Sequence, residues 1–308
     1  MQETRRDAVR VVVPASSANL GPAFDCAALA LGVFDELIAM VTEDDGVLVE
    51  IAGEGADVLP RDDSHLVVRS MRAAFDWMGA DVPGFILRCG NTIPHGRGLG
   101  SSAAAIIGGI VLARAMVVDG RERMTDADAL QLALEQEGHP DNLAASLYGG
   151  LTVAWLEDDG RADVARMGVH RDVHPIVLVP PFQLKTAAAR EMLPDAVPFE
   201  DASLNVSRSA LLVHAVTADP TRLMAATEDR LHQQHRAAAY PDSVALVQQL
   251  RASGVPAVIS GAGPTVLAFG DESMLPAIAA FVEESWVVRP VEVSAEGARE
   301  LPVPPITE

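Results

Sequence analysis

The chain has 308 residues, room for two modest domains or one large α/β domain, and its 49% of hydrophobic residues allow a well-buried core. A formal net charge of −20 counts against a nucleic-acid partner, because neutralising a phosphate backbone takes clustered Lys and Arg. No apolar run approaches a membrane span, no signal-peptide pattern opens the chain, and Cys26 and Cys89 are too few for a disulfide framework, so a cytoplasmic protein without a membrane partner is expected.

In chain order, Val9–Val13 is a β-branched run ending at Pro14 and reads as a strand. A loop of Ser, Asn, Gly and Pro follows, then Ala27–Val41 is apolar and extended, and Val47–Ile51 is a short strand. From Asp63 the period changes: Leu66, Val67, Met71, Ala74, Phe75 and Met78 share one helical face, with Asp63 or Ser64 as N-cap. Gly84–Arg88 returns to strand. A glycine-rich loop then empties into an apolar helix from Ser101. A second helix is expected over Asp126–Glu137, capped by Thr125 or Asp126, then a short helix after the Gly138–Asn142 interruption, and a strand over Leu151–Leu156.

The stretch 157–174 is polar and reads as a loop, which puts a domain boundary there and divides the chain into 1–168 and 169–308. Beyond it come a strand at Pro175–Val179, helices near 186–193, 203–217 and 241–252, and strands at Ala257–Ser260 and Thr265–Phe269 about a Gly-Ala-Gly-Pro turn. A helix near 272–284 and a strand near Trp286–Val293 follow. This succession resembles a split β-α-β unit, so the expected class is α+β in two halves, the second ferredoxin-like.

The strongest chemical signal is Pro94-His95-Gly96-Arg97-Gly98-Leu99-Gly100-Ser101-Ser102-Ala103-Ala104. Its glycines let backbone N–H groups close on an anion, and the helix behind adds its unpaired donors and positive dipole end. The segment has no lysine, so it is not a Walker A loop, and its glycine spacing is not that of a Rossmann fingerprint.

The whole string resembles the second motif of the GHMP kinases, named for galactokinase, homoserine kinase, mevalonate kinase and phosphomevalonate kinase. Two further motifs of that family stand in order. Val13-Pro14-Ala15-Ser16-Ser17-Ala18-Asn19-Leu20-Gly21-Pro22-Ala23-Phe24-Asp25 is similar to the first motif as homoserine kinases carry it, with Ala23 where glycine is usual. Ser260-Gly261-Ala262-Gly263-Pro264-Thr265 is similar to the third. The segments Glu137–Asn142 and Pro180–Arg190 also resemble homoserine kinases.

The resemblance implies an N-terminal half like ribosomal protein S5 domain 2, a ferredoxin-like C-terminal half, and an active site between them. It implies ATP and Mg²⁺ as cofactors, L-homoserine as substrate, O-phospho-L-homoserine as product on the way to threonine, and a homodimer. Carried over residue by residue, it gives Pro94, Gly96, Arg97, Gly98, Leu99, Gly100, Ser101, Ser102, Ala103, Gly261 and Gly263 to ATP. It gives Asn19, Asp25, His139, Thr186, Arg190 and Arg236 to the homoserine pocket. Arg190 and Arg236 suit the substrate carboxylate because a guanidinium is a two-pronged donor, while Asp25 and Asn19 suit the ammonium and hydroxyl.

Ser102 and a glutamate before His139 are implied as Mg²⁺ ligands, either Glu135 or Glu137, with Glu135 preferred. Where some relatives have a catalytic aspartate this chain has Asn142, which leaves Asp25 either to accept the proton or only to position the substrate. Ser64-His65-Leu66 stands in the adenine region, where relatives often carry Asn-Leu. Two other readings stay open: a kinase for another small alcohol, and a GHMP-fold binding protein without catalysis.

Overall fold

The computed structural model describes residues 4, 5, 7–82, 84–184 and 186–303. Its first half is built on a twisted sheet that begins with β1 (Val9–Ala18) and the long β2 (Ala27–Thr42), antiparallel neighbours whose register shifts at Pro14/Ala15. Proline donates no ladder bond, so the bulge falls where the sequence places a strand end, and the strand continues for four more residues. β3 (Gly46–Gly53), helix α1 (Leu66–Met78) and β4 (Gly84–Asn91) follow, with β3 and β4 parallel. α1 buries Val67, Val68, Met71, Ala74, Phe75 and Met78 and stops at Gly79 in the left-handed region (φ 63°). Its N-cap is His65, without a side-chain bond, rather than Asp63 or Ser64: Asp62 folds back onto Ser64, and Asp63 pairs with Arg72.

Helix α2 (Ser101–Met116) lies between this sheet and α1 and is buried almost all round. Two adjacent glycines make the sandwich possible. A Cβ on Gly108 would stand 2.6 Å from Leu37 Cδ1 on the sheet side, and one on Gly109 would stand 2.6 Å from the Val67 carbonyl of α1. After the one-turn α3 (Gly120–Arg123), α4 (Asp126–Glu137) opens on a reciprocal capping box in which Thr125 and Asp128 satisfy each other's backbone N–H. α5 (Pro140–Tyr148) starts with Pro at N1, and β5 (Leu151–Leu156) pairs with β2.

The polar stretch read as a loop contains β6 (Ala162–Met167), antiparallel to β5. One of its faces is exposed and the strand lies at the sheet edge, which gives it the composition of a loop.

The second half is a four-stranded sheet in the order β10-β7-β9-β8, formed by β7 (Pro175–Val179), β8 (Ala257–Ile259), β9 (Val266–Phe269) and β10 (Val287–Pro290). Between β7 and β8 run α6 (Thr186–Arg190), α7 (Phe199–Thr217), α8 (Leu223–Ala226) and α9 (Pro241–Ala252), and α10 (Leu275–Ala279) precedes β10. That order is the ferredoxin-like one. The helix expected near 272–284 is shorter, a 3₁₀ turn followed by α10. β11 (Arg299–Leu301) then returns to the first sheet and pairs with β1, so a division at 168/169 leaves this strand with the wrong half. Among the described residues no helix is long and apolar enough to cross a membrane.

Replacing Gly109 by Val drives a branched side chain into the α1 backbone. It is expected to cost about 1–3 kcal/mol, read as a lower urea midpoint with unchanged slope. An unchanged midpoint would mean that the two helices have room to separate.

Candidate active site

Three loops far apart in sequence meet at the C-terminal end of β1. Ser16 N–H donates to Leu99 O (3.1 Å), Thr265 N–H to Arg97 O (3.2 Å) and Gly261 N–H to Ala18 O (3.0 Å). Ser260 Oγ donates to Gly98 O (2.6 Å) and lies 2.8 Å from Ser17 Oγ. The glycines of the central loop follow from this crowding. Gly96, Gly98 and Gly100 have φ of 63°, 78° and 70°. A Cβ on Gly98 would stand 2.3 Å from Ser260 O, and one on Gly100 would stand 2.0 Å from Ser16 Oγ. The loop thus presents its backbone to the cleft at the start of α2, where unpaired N–H groups and the helix dipole favour an anion.

The cleft has a volume of about 540 Å³. At its far end Arg190 Nη2 lies 2.8 and 2.7 Å from the two oxygens of Asp25. Asp25 sits at φ 55° and Asn19 at φ 69°, in a turn that Asn19 closes by accepting from Asp25 N–H and donating from Nδ2 to Gly261 O, both at 2.9 Å. Arg236 is buried; its Nε donates to Ala189 O (3.0 Å), and its guanidinium and that of Arg190 lie 5.2 and 5.5 Å from the Phe24 ring centre. Burial lowers its pKa, but from so high a starting value that it remains a cation. Its neighbour Arg230 turns away to Asp201 and Glu228.

The floor is the start of α5. His139 is the N-cap and lines the cleft without capping through its side chain. Asn142 Oδ1 accepts from Ser16 Oγ (2.8 Å). Asp141 faces the cleft while 5% exposed, and one of its oxygens accepts from Asn142 N–H at 2.7 Å. Burial pushes its carboxyl up to about 6, with the negative charges of Asp25 and Glu137 adding to the rise.

Ser102 Oγ donates to Glu137 Oε2 at 2.8 Å, joining the start of α2 to the end of α4. Of the two glutamates considered as metal ligands, Glu137 is the one brought to Ser102, while Glu135, the one preferred from the sequence, is exposed and off the cleft wall. Residues two apart on a helix point in nearly opposite directions, so only one of the pair can face Ser102. The Ser102–Glu137 oxygens are hard donors of the kind Mg²⁺ takes alongside water and phosphate. Among the described residues no group of three or more His, Cys, Asp or Glu could hold a metal alone, so an ion here would depend on ligands from a bound phosphate.

Beyond Ser101 and Ser102 lies a second cavity of about 210 Å³, lined largely by Leu59, Leu66, Val67, Ala104 and Ala105, with His65, whose buried Nδ1 has no hydrogen-bond partner among the described residues. Asp35 at its edge accepts from Thr92 and Ile93 N–H (2.7 and 2.9 Å), and burial pushes it up to about 6.

Of the sequence-derived site residues, Asn19, Asp25, Gly96, Gly98, Gly100, Ser101, Ser102 and Ala103 come together in the cleft wall, with His139, Asn142, Arg190, Arg236 and Gly261. Pro94, Arg97, Leu99 and Gly263 do not. Leu99 points into the core, Arg97 donates to the carbonyls of Pro180 and Pro181, and Gly263 packs on Tyr240. Thr186 opens α6, its side chain outside those described. Asp141 joins Asp25 as a carboxylate in the cleft wall, where the sequence reading considered only Asp25 as a proton acceptor. Sequence reading missed it because an acid in the first turn of a helix is ordinary, and nothing local records its burial.

Two sheets of this topology flanking a glycine loop at a helix N-terminus are the frame of a small-molecule kinase. The chain belongs to the GHMP kinase family: residues 65–150 match the GHMP kinases N terminal domain and residues 213–288 the GHMP kinases C terminal domain. Within the family, homoserine kinases are among the relatives it matches at about half identity. That of Streptomyces avermitilis is 51% identical over 97% of this chain and 97% of its own, and that of Mycolicibacterium vanbaalenii is 48% identical over 86% of each. The fold matches the crystal structure of homoserine kinase from Cytophaga hutchinsonii (TM-score 0.83, 22% identity, 98% of this chain and 99% of that one). It also matches L. major mevalonate kinase in complex with R-mevalonate (TM-score 0.70, 15% identity, 95% and 98%).

Asp141 has a stability consequence. A carboxyl raised in the folded state favours folding fully below its unfolded pKa, and that contribution is lost as pH rises through about 6. Asp141→Asn is therefore expected to raise the melting temperature at pH 8 and to change it little at pH 4. The gain at pH 8 should be of the order of 2–3 kcal/mol. A variant less stable than the parent at pH 8 would show that the carboxylate is better compensated than its surroundings imply.

Proposed function

We propose that this protein transfers the γ-phosphoryl group of ATP to the side-chain hydroxyl of L-homoserine, giving ADP and O-phospho-L-homoserine on the route to threonine. The observation that carries the reading is the pairing of cations and carboxylates at the closed end of the cleft. Arg190 pairs with Asp25, and Arg236 and Asp141 line the same cleft, an arrangement complementary to a zwitterionic amino acid rather than to a sugar or a hydroxy acid.

The nucleotide's base enters the apolar cavity beside α1 and its phosphates lie along the glycine loop, against backbone donors that need no reorganisation when charge moves. Ser102 and Glu137 would hold Mg²⁺, which when bound neutralises phosphate charge and helps align the transferred group. Arg236, fixed by Ala189 O and Phe24, and Arg190 take the substrate carboxylate, while Asp25 takes the ammonium. The hydroxyl then points towards the γ-phosphate over the start of α5, where Asn142 and Asp141 face it. Asn142 cannot accept a proton, but Asp141, ionised above about pH 6, can. Because the transition state is loose, positioning supplies most of the rate and the proton can leave late.

The experiment is an ADP-release assay with homoserine, mevalonate, galactose and threonine. Turnover of homoserine well above the others is expected, and preference for mevalonate or galactose would overturn the reading. Two variants separate the ends of the cleft. Gly100→Ala puts a Cβ against Ser16 and is expected to abolish most of the Mg·ATP affinity seen by calorimetry, with the circular dichroism spectrum retained. Arg190→Leu should raise the homoserine KM by about 30-fold or more, from a lost charge pair of about 2–5 kcal/mol, and leave the ATP KM nearly unchanged. A normal homoserine KM in that variant removes Arg190 from the pocket.

A further inference from the structure

Behind the substrate end of the cleft, and not part of its wall, lies a fully buried imidazole, His232. Its Nε2 is 2.8 Å from the carbonyl of Gly21, in the turn that carries Asn19 and Asp25. Its Nδ1 is 3.4 Å from Nη1 of Arg236, and its ring centre is 5.1 Å from that of Phe24, on which both arginines stack. Arg236 in turn donates to Ala189 O, one residue before Arg190.

The neighbours fix the tautomer. A carbonyl oxygen can only accept, so Nε2 carries the proton; a guanidinium can only donate, so Nδ1 offers its lone pair. A second proton on the ring would set one N–H against another, and burial, which lowers the pKa of His232, works in the same direction. The ring is itself held from below. Asp229, whose side chain is buried, accepts from the N–H groups of Leu231, His232 and Gln233 and from Asn205 Nδ2, and so sets the turn on which His232 rides.

We propose that neutral His232 is a positioning residue for substrate binding. By donating to Gly21 and accepting from Arg236, it fixes the Asn19–Asp25 turn and the carboxylate-binding guanidinium relative to each other, without touching substrate. The proposal rests on the homoserine reading above, with Arg236 at the substrate carboxylate. It makes amino-acid binding depend on a side chain that faces away from the cleft, and it explains why a buried arginine aims at the cleft: one edge of its guanidinium is spoken for by the imidazole and by Ala189.

The test is steady-state kinetics on His232→Leu, His232→Gln, Arg236→Leu and the double variant His232→Leu/Arg236→Leu, with thermal melts on each. His232→Leu fills the space but makes neither bond. It is expected to raise the homoserine KM about tenfold or more, with kcat and the ATP KM within about threefold of the parent. His232→Gln, which can donate at one end and accept at the other, should recover most of the loss. In the Arg236→Leu background His232→Leu should add little, because the two act as one unit. An unchanged homoserine KM in His232→Leu overturns the proposal. So does an equal rise in both KM values that tracks lost stability, or a double variant in which the two effects simply add. Should His232→Leu fail to fold, His232→Asn carries the same expectation, being polar but too short to reach both partners. Failure of the substrate reading looks different: the parent protein then shows no preference for homoserine.

Discussion

The structure depends on the closure of three loops over one another. The end of β1, the glycine loop and the Ser260–Thr265 turn are joined through main-chain amides and carbonyls, with Ser260 Oγ spanning the last gap. Backbone can approach backbone this closely only where side chains are absent or very small, which is why Gly98 faces the Ser260 and Gly263 carbonyls without a side chain, while Gly100 makes the same room for Ser16 Oγ. The junction also holds the two sheets to a common site, since each sheet contributes one of the loops that meet there. A bound polyphosphate would lie directly on the seam.

Charge in this protein is local rather than global. A net charge of −20 is a poor guide to where an anion would bind, because the glycine loop at the start of α2 offers N–H dipoles, which the net charge does not count. At the opposite end the cations are spent close at hand: Arg190 on Asp25, Arg236 on a carbonyl, an imidazole and an aromatic face. Such a pocket is balanced when empty, and under the proposed function a zwitterion would exchange one set of pairs for another instead of neutralising bare charge.

Much of this was legible in the sequence, for reasons that differ by residue. The glycine loop declares itself because a left-handed, crowded backbone leaves few residue choices, and the capping box at Thr125 is a local pattern with a local cause. The choice between Glu135 and Glu137 was not legible, because it turns on which face of α4 meets α2, a tertiary fact. Arg97 was given to ATP because a cation inside a phosphate loop invites that reading, and its bonds to the carbonyls of Pro180 and Pro181 could not be read from the sequence. β6 and β11 escaped notice because one is half-exposed at an edge and the other is three residues long, too short to show a period. Asp141 escaped because burial of a single acid leaves no trace in its neighbours' identities.

The return of β11 to the first sheet has a consequence for biosynthesis. While the second half is still being translated, β1 has β2 on one side and nothing on the other, and its Val11 and Val13, buried in the finished protein, belong to a strand with an open hydrogen-bonding edge. The β1 edge is covered only when residues 299–301 emerge, after the whole ferredoxin-like half. A nascent chain therefore carries a sticky edge through much of its synthesis, and C-terminal truncations of even a dozen residues should recreate that edge permanently, as a chain prone to pair with its own copies rather than one merely shortened.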